Sequence, residues 1–308
     1  MMNSVIVILG PTCSGKTELA ISLSSKINSE IISADSRQVY KFLTIGTAKP
    51  TIEQFKKVKH HFIDELLPNE KFNADIFSKK ANILISEIQK RNKTPIVVGG
   101  SGLYIKALID GLDIPVDSDP EIRKNLMIKR KLFGNQYLHD ELKKIDPITA
   151  KKLLPQNWKR IIRALEVFYL TQKPISQFSS KRKTNKYNFI QYGLLWSREK
   201  LYERINQRVD EMIKNGLVEE TQKILNLGFD KNLNSLNTVG YKEIIEFLEG
   251  KISLEKAIYL IKRNTRRFAK KQMTWFRKDE RITWLDAEKN STEKLTDLII
   301  RDLYERKN

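Results

Sequence analysis

The chain opens on a short run of apolar, mostly β-branched residues, positions 5–9 (VIVIL), that stops at a glycine. A run apolar at every position predicts a strand buried on both faces and leading into a loop. Leu19, Ala20, Leu23 and Ile27 then recur at helical spacing over 17–27. Residues 30–33 predict a second strand and 61–63 a weak third. A long amphipathic helix is expected over 73–91, and another buried strand over 95–98, ending at Gly99-Gly100. Strands alternating with helices predict a parallel sheet with right-handed crossovers. The pattern changes near 115. From 120 to about 172 strand signal is scarce and helical signal strong. Residues 174–186 are polar and basic and read as a mobile return linker, after which 189–196 predict a strand again. From 198 the chain reads as mostly helical, with a late strand at 282–285. The expected architecture is a parallel α/β core over 1–115 and 187–308, carrying a mostly helical insertion over 116–186.

Composition narrows the classes. At 308 residues, 40% hydrophobic and 30% charged, this is an ordinary globular chain. The early apolar run is far too short to cross a bilayer, and the charged front and long apolar middle of a signal peptide are missing. The one cysteine, Cys13, excludes an internal disulfide and a Cys₂His₂ zinc site. A cytoplasmic protein with no membrane association is expected, and nothing demands more than a monomer. Charge adds a partner. Residues 1–120 hold 15 basic and 13 acidic residues, but 121–308 hold 41 and 24, so nearly all of the net +19 sits there. A polyanion such as nucleic acid suits that surplus, with a solvated basic surface as the competing reading.

Gly10-Pro11-Thr12-Cys13-Ser14-Gly15-Lys16-Thr17 fits the P-loop pattern G-x-x-x-x-G-K-[ST] in full. The glycines let successive N–H groups turn toward one anion, and the following helix adds its positive end. Lys16 supplies a point charge and Thr17 a hydroxyl for Mg²⁺. The fold class is therefore α/β, a P-loop NTPase-like parallel core with a helical insertion. An NTPase also needs an acid closing an apolar strand. Here Val97-Val98 runs into Gly99-Gly100-Ser101-Gly102 instead, which argues against plain ATP hydrolysis, although ATP can occupy such a nucleotide-binding loop without reacting. Asp35 ends the second strand, where ligands of open α/β sheets bind. A carboxylate beside a diphosphate can hold Mg²⁺ or take a proton; capping a turn is its bland alternative.

Several segments together resemble a known family. GPTCSGKT (10–17), DSRQVY (35–40), IGTAKP (45–50), HHFID (60–64) and GGSGLY (99–104) occur in the order seen in bacterial tRNA dimethylallyltransferases, also called tRNA isopentenyltransferases. KRIIRALEV (159–167), INQRVDEM (205–212), VGYKE (239–243) and TRRFAKKQMTWFR (265–277) extend the resemblance over nearly the whole chain. It implies transfer of the dimethylallyl group of dimethylallyl diphosphate to the exocyclic amine of the adenine 3′ to the tRNA anticodon. It also implies that Asp35 is the general base, that Ser101 stands where threonine is usual and contacts the bridging oxygen, and that Arg208 binds diphosphate. Cys13 stands where alanine is common. Serine keeps the hydroxyl of threonine but loses the methyl that fixes its rotamer. The tRNA contacts implied or expected are Asp35, Ser36, Arg37, Gln38, Ser101, Arg123, Lys159, Arg160, Ile161, Ile162, Arg163, Lys270 and Arg277.

Within that set, Gln38 carries the donor and acceptor needed to read an adenine edge. Lys159, Arg160 and Arg163 share a helix face suited to anticodon-stem phosphates, opposite apolar Ile161, Ile162, Leu165 and Phe168. A later helix pairs an apolar face (Ala257, Leu260, Ile261, Phe268) with a basic one (Arg263, Arg267, Lys270, Arg277). Trp275 and Phe276 are read as core, with base stacking as the alternative. Lys181-Arg182-Lys183 in the linker is expected to touch phosphate nonspecifically. His60 and His61, adjacent on a strand, point to opposite faces and do not suit one metal. Competing functions are a P-loop kinase or NTPase, an isopentenyltransferase of free adenine nucleotides, and an RNA-binding protein with a relic P-loop.

Overall fold

The computed structural model describes residues 3–112, 116–178 and 186–306. It divides into two units: Met1–Ile109 with Asn185–Asn308, and Asp110–Thr184. In the first, β1 (Ser4–Leu9), α1 (Lys16–Lys26), β2 (Ser29–Ser33), α2 (Ile52–Lys57), β3 (His60–His61), α3 (Ala74–Lys90), β4 (Thr94–Gly99) and α4 (Gly102–Asp110) follow in order. The second unit holds α5 (Pro120–Ile145), α6 (Pro147–Ala150) and α7 (Trp158–Thr171). The chain then returns through β5 (Asn188–Leu195), α8 (Arg198–Lys214), α9 (Leu217–Asn226), α10 (Tyr241–Leu248), α11 (Leu254–Phe276), β6 (Ile282–Asp286) and α12 (Thr292–Glu305).

The described strands form one parallel sheet, ordered β3-β2-β4-β1-β5-β6. Val7 of β1 pairs with Val97 of β4 and with Gln191 of β5. The central strands read as unbroken apolar runs because helices cover both sides, as a parallel sheet requires. Ile6, Ile8, Ile31 and Ile96 pack with Leu19 and Leu23 of α1 and with Leu295 and Ile299 of α12 in one buried cluster. Parallel pairing also brings the C-terminal ends of β1, β2 and β4 to one edge. The phosphate loop, Asp35 and Ser101 all leave the sheet there.

One expectation needs correction. The third strand ends at His61, not Ile63, because Phe62 and Asp64 take left-handed backbone (φ 62° and 55°) that breaks the ladder. The stretch 174–186, read as a return linker, has a 3₁₀ turn at Ile175–Gln177, and its Lys181, Arg182 and Lys183 lie outside the described residues. The helical unit has its own core, in which Leu126, Leu138 and Leu142 of α5 meet Ile161, Ile162 and Leu165 of α7. Gly134 (φ 83°, ψ 178°) kinks α5, using a conformation that costs an L side chain energy.

Candidate active site

β1 delivers the chain into a tight loop. Cys13 (φ 64°) and Gly15 (φ 90°) both adopt left-handed backbone. For Cys13 that is strain held by its surroundings. Gly15 caps α1 with no side-chain hydrogen bond, so the first N–H groups of α1 keep their capacity for an anion. Lys16 Nζ donates to the Pro11 carbonyl at 2.6 Å. Burial, and then the neighbouring Arg208, lower its pKa to about 8. Helix α8 leans two arginines on the loop. Arg204 Nε donates to Cys13 O at 2.8 Å, and Arg208 Nη1 lies 3.4 Å from Thr12 Oγ1 and 3.6 Å from Cys13 Sγ. Thr17 lines a small cavity of about 120 Å³ together with Lys16, Ser33 and Asp35.

Asp35 sits just beyond β2. Its Oδ1 accepts the N–H groups of Arg37 (2.8 Å) and Gln38 (3.3 Å), while Oδ2 has no hydrogen-bond partner among the described residues. The turn-capping and catalytic readings of Asp35 are therefore compatible, one oxygen serving each. Ser101 leaves β4 beside it. Its Oγ accepts the Ser36 N–H at 3.2 Å, and its own N–H donates to Ala34 O at 3.3 Å. Close approach explains the preceding glycine: a Cβ on Gly99 would lie 2.2 Å from Ala34 O.

Asp35, Ser36, Arg37, Ser101 and Arg208 line a second cavity of about 330 Å³, and Asp35 and Arg208 line both. The larger cavity is also lined by Ile205, Val209, Met212, Ile261 and Phe268. The cavity at the phosphate loop thus shares lining residues with a chamber that carries both an acid and hydrocarbon side chains.

Several expected contacts sit differently. The Gln38 amide already has partners: Nε2 donates to the carbonyls of Thr47 and Ala48 (both 3.2 Å), and Oε1 accepts from Ser33 Oγ at 3.0 Å. It braces the loop instead of offering free donors to a base. Ile161 and Ile162 are 0% and 3% exposed, so their side chains form core and do not face RNA. Arg163 is held by Glu166 and the carbonyls of Val116 and Asp117, and Arg123 pairs with the same buried Glu166. Lys159 and Arg160 remain exposed on α7, as do Lys270 and Arg277 at the end of α11. Phe268, expected on the apolar core face of α11, is 47% exposed and borders both cavities. Phe276 is core, while Trp275, at 39% exposure, packs its ring where a Cβ on Gly102 would sit. His61 Nε2 binds Glu30, and His60 Nδ1 binds Val58 O.

Sequence reasoning passed over Gln272. It is buried on α11 and bonded to both glycine loops. The signal was present: Gln272 falls in register with Ile261, Ala269 and Phe276, a polar residue on an apolar stripe.

A parallel sheet whose first strand feeds a complete GxxxxGK[ST] loop defines this chain as a P-loop α/β protein. The IPP transferase family model matches residues 38–279. A tRNA dimethylallyltransferase of Carboxydothermus hydrogenoformans is 50% identical over 305 residues, covering 98% of each chain. Another, from Acetivibrio thermocellus, is 48% identical over 96% of this chain and 95% of its own. Among solved structures, the full-length tRNA isopentenylpyrophosphate transferase of Bacillus halodurans superposes with a TM-score of 0.74 at 39% identity, covering 99% of this chain and 98% of that one. A eukaryotic dimethylallyltransferase described as acting on tRNA gives a TM-score of 0.82 at 28% identity, over 99% of this chain and 80% of that one. The chain belongs to the IPP transferase family of tRNA dimethylallyltransferases. No helix among the described residues is long and apolar enough to cross a membrane.

Proposed function

We propose that this chain transfers the dimethylallyl group of dimethylallyl diphosphate to the exocyclic amine of the adenine 3′ to the anticodon of tRNA, releasing diphosphate. The observation that carries the reading is one chamber beside the phosphate loop that is lined both by Asp35 and by the apolar Ile205, Val209, Met212, Ile261 and Phe268. The anion site suits the diphosphate, the hydrocarbon wall suits the prenyl tail, and the acid suits the amine.

The allylic carbon–oxygen bond breaks with its electron pair leaving on the diphosphate. Lys16, Arg208 and the loop N–H groups place positive charge where that negative charge grows. The adenine nitrogen forms the new bond to the allylic carbon, and Asp35 accepts the proton it loses. Proton removal of this kind contributes about 10²–10⁴-fold. Ser101 adds a hydroxyl at the bridging oxygen. Water would compete for the allyl carbon, so the base must leave its stack and fill the chamber. Thr17 would bring a hydroxyl, a hard oxygen donor, to the cavity it lines with Lys16, and this fits Mg²⁺ completed by the substrate's phosphates and water, leaving the free oxygen of Asp35 for the proton. When bound there, the ion neutralises diphosphate charge. Exposed Lys159, Arg160, Lys270 and Arg277 are the cations proposed to hold tRNA phosphates.

Labelled dimethylallyl diphosphate with Mg²⁺ and either tRNA or AMP tests the reading. Label is expected in tRNA alone. Asp35→Ala is expected to lose transfer by at least about 10²-fold while still binding tRNA. Label in AMP, or productive ATP cleavage with the allyl donor ignored, overturns the assignment. An active Asp35→Ala variant removes Asp35 as the base.

A further inference from the structure

The side chain of Gln272 is 7% exposed and does not enter the chemistry above. Its Oε1 accepts the N–H of Thr12 at 2.9 Å, and its Nε2 donates to the carbonyl of Gly100 at 3.0 Å. Thr12 belongs to the phosphate loop. Gly100 immediately precedes Ser101, whose hydroxyl holds the Ser36 N–H next to Asp35. One amide therefore ties the loop that grips the leaving group to the loop that borders the base.

We propose that Gln272 is a positioning residue, setting the separation between the diphosphate site and the Asp35–Ser101 site. The inference rests on the transfer reaction proposed above. Two further observations support it. A Cβ on Gly100 would lie 2.3 Å from Gln272 Nε2, so position 100 admits the amide only as glycine. Gln272 also borders both cavities, at the boundary between anion site and chamber. The bridge needs one donor and one acceptor on a side chain of this length. Asparagine is a methylene too short to reach both loops. Glutamate keeps an acceptor for Thr12 but turns a second one toward the Gly100 carbonyl. Leucine leaves a buried N–H and a buried C=O unpaired. The Thr12 N–H is committed to this bridge, so the donors offered to the anion come from the residues after it.

Holding two reactants in line is sensitive to small shifts: a displacement of about 1 Å can cost about 10²-fold in rate. Gln272→Glu is therefore expected to lower kcat by about that factor in the full chain, with tRNA binding and both KM values little changed. Gly100→Ala, whose added methyl displaces the amide, is expected to show the same kcat loss. The double variant Gly100→Ala/Gln272→Leu should lose no more than Gln272→Leu alone, since both changes break one bridge. Melting temperatures identify any variant that has failed to fold, and Gly100→Ala provides an independent reading if the Gln272 variants do. Folded variants with unchanged kcat, a loss carried by KM alone, or losses that multiply would overturn the proposal. Wild-type protein that transfers no prenyl group to tRNA counts against the function, whereas active wild type with fully active variants counts against Gln272 alone.

Discussion

Lys16 illustrates how a single residue links the loop's geometry to a measurable pH dependence. Burial and then Arg208 hold its pKa down at about 8, partly offset by Cys13, Asp35 and Glu18. A depressed lysine binds fewer protons folded than unfolded between about pH 8 and its ordinary value of 10.5. Its charge therefore costs stability below pH 8, and that cost is relieved as pH rises through the window. A diphosphate against the ammonium would reverse the preference and favour the charged form. Binding of a saturated alkyl diphosphate, already fully ionised, is expected to weaken as pH rises past about 8. Lys16→Arg stays protonated throughout, so its binding curve should be flat over the same range; equal slopes for the two proteins would show that Lys16 does not touch the anion. The placement of Lys16, Thr17 and Asp35 at the ends of strands was legible in sequence because it depends on local spacing. The commitment of the Gln38 amide to Ser33, Thr47 and Ala48 was not, because a side chain's partners are settled by how a loop folds back. Gln272 was hidden for a related reason, its partners lying 260 and 172 residues away.

At the scale of elements, hydrophobic period was sufficient where burial was two-sided or strictly amphipathic. β1, β4 and α3 sit close to where their patterns put them. α2 was missed because it is six residues long and buries none of them, although Thr51 and Gln54 form a capping box that could have flagged it. The strand order was also out of reach, since pairing of β1 with β5 joins segments some 180 residues apart in a parallel ladder that leaves no local mark. α7 separates its two faces cleanly, and this divides its proposed RNA contacts into two kinds. Ile161 is fully buried against α5, so Ile161→Ala should destabilise the helical unit by about 3 kcal/mol in thermal or denaturant unfolding. Lys159→Ala and Arg160→Ala, on the exposed face, should leave unfolding within about 0.5 kcal/mol of wild type. A stability loss on the basic face comparable to that at Ile161 would contradict this division of the helix. The loop at 44–46 shows tertiary bracing of the same kind from outside the local sequence. Glu220 of α9 accepts the N–H groups of Thr44, Ile45 and Gly46 and the hydroxyl of Tyr241, and so supports the segment that fastens Gln38.

Charge is a property of the whole molecule, and its placement bears on how the two units divide the work. The net charge is +19, and residues 121–184 alone hold 16 basic against 5 acidic residues. Residues 1–120, which carry the phosphate loop and Asp35, are close to neutral with 15 basic and 13 acidic. Such an arrangement fits a small anion recognised by local geometry and a long polyanion held by surface charge. Not every cation on that surface is available. Arg123 and Arg163 are drawn onto buried Glu166, so their guanidinium groups hold the unit together before they meet any ligand. Lys159 and Arg160 have no acidic partner within salt-bridge range among the described residues. If they meet tRNA phosphates, each displaces counterions, and the dependence of log affinity on log salt should carry their contribution. Reversing both to Glu is expected to shallow that slope by roughly 0.7–0.9 for every phosphate no longer neutralised, measured by tRNA binding across a salt series. Replacing Arg163 instead should also cost stability of the helical unit, because it shares buried Glu166 with Arg123 and holds the carbonyls of Val116 and Asp117. A slope unmoved by the double reversal would take Lys159 and Arg160 of α7 out of the proposed RNA surface.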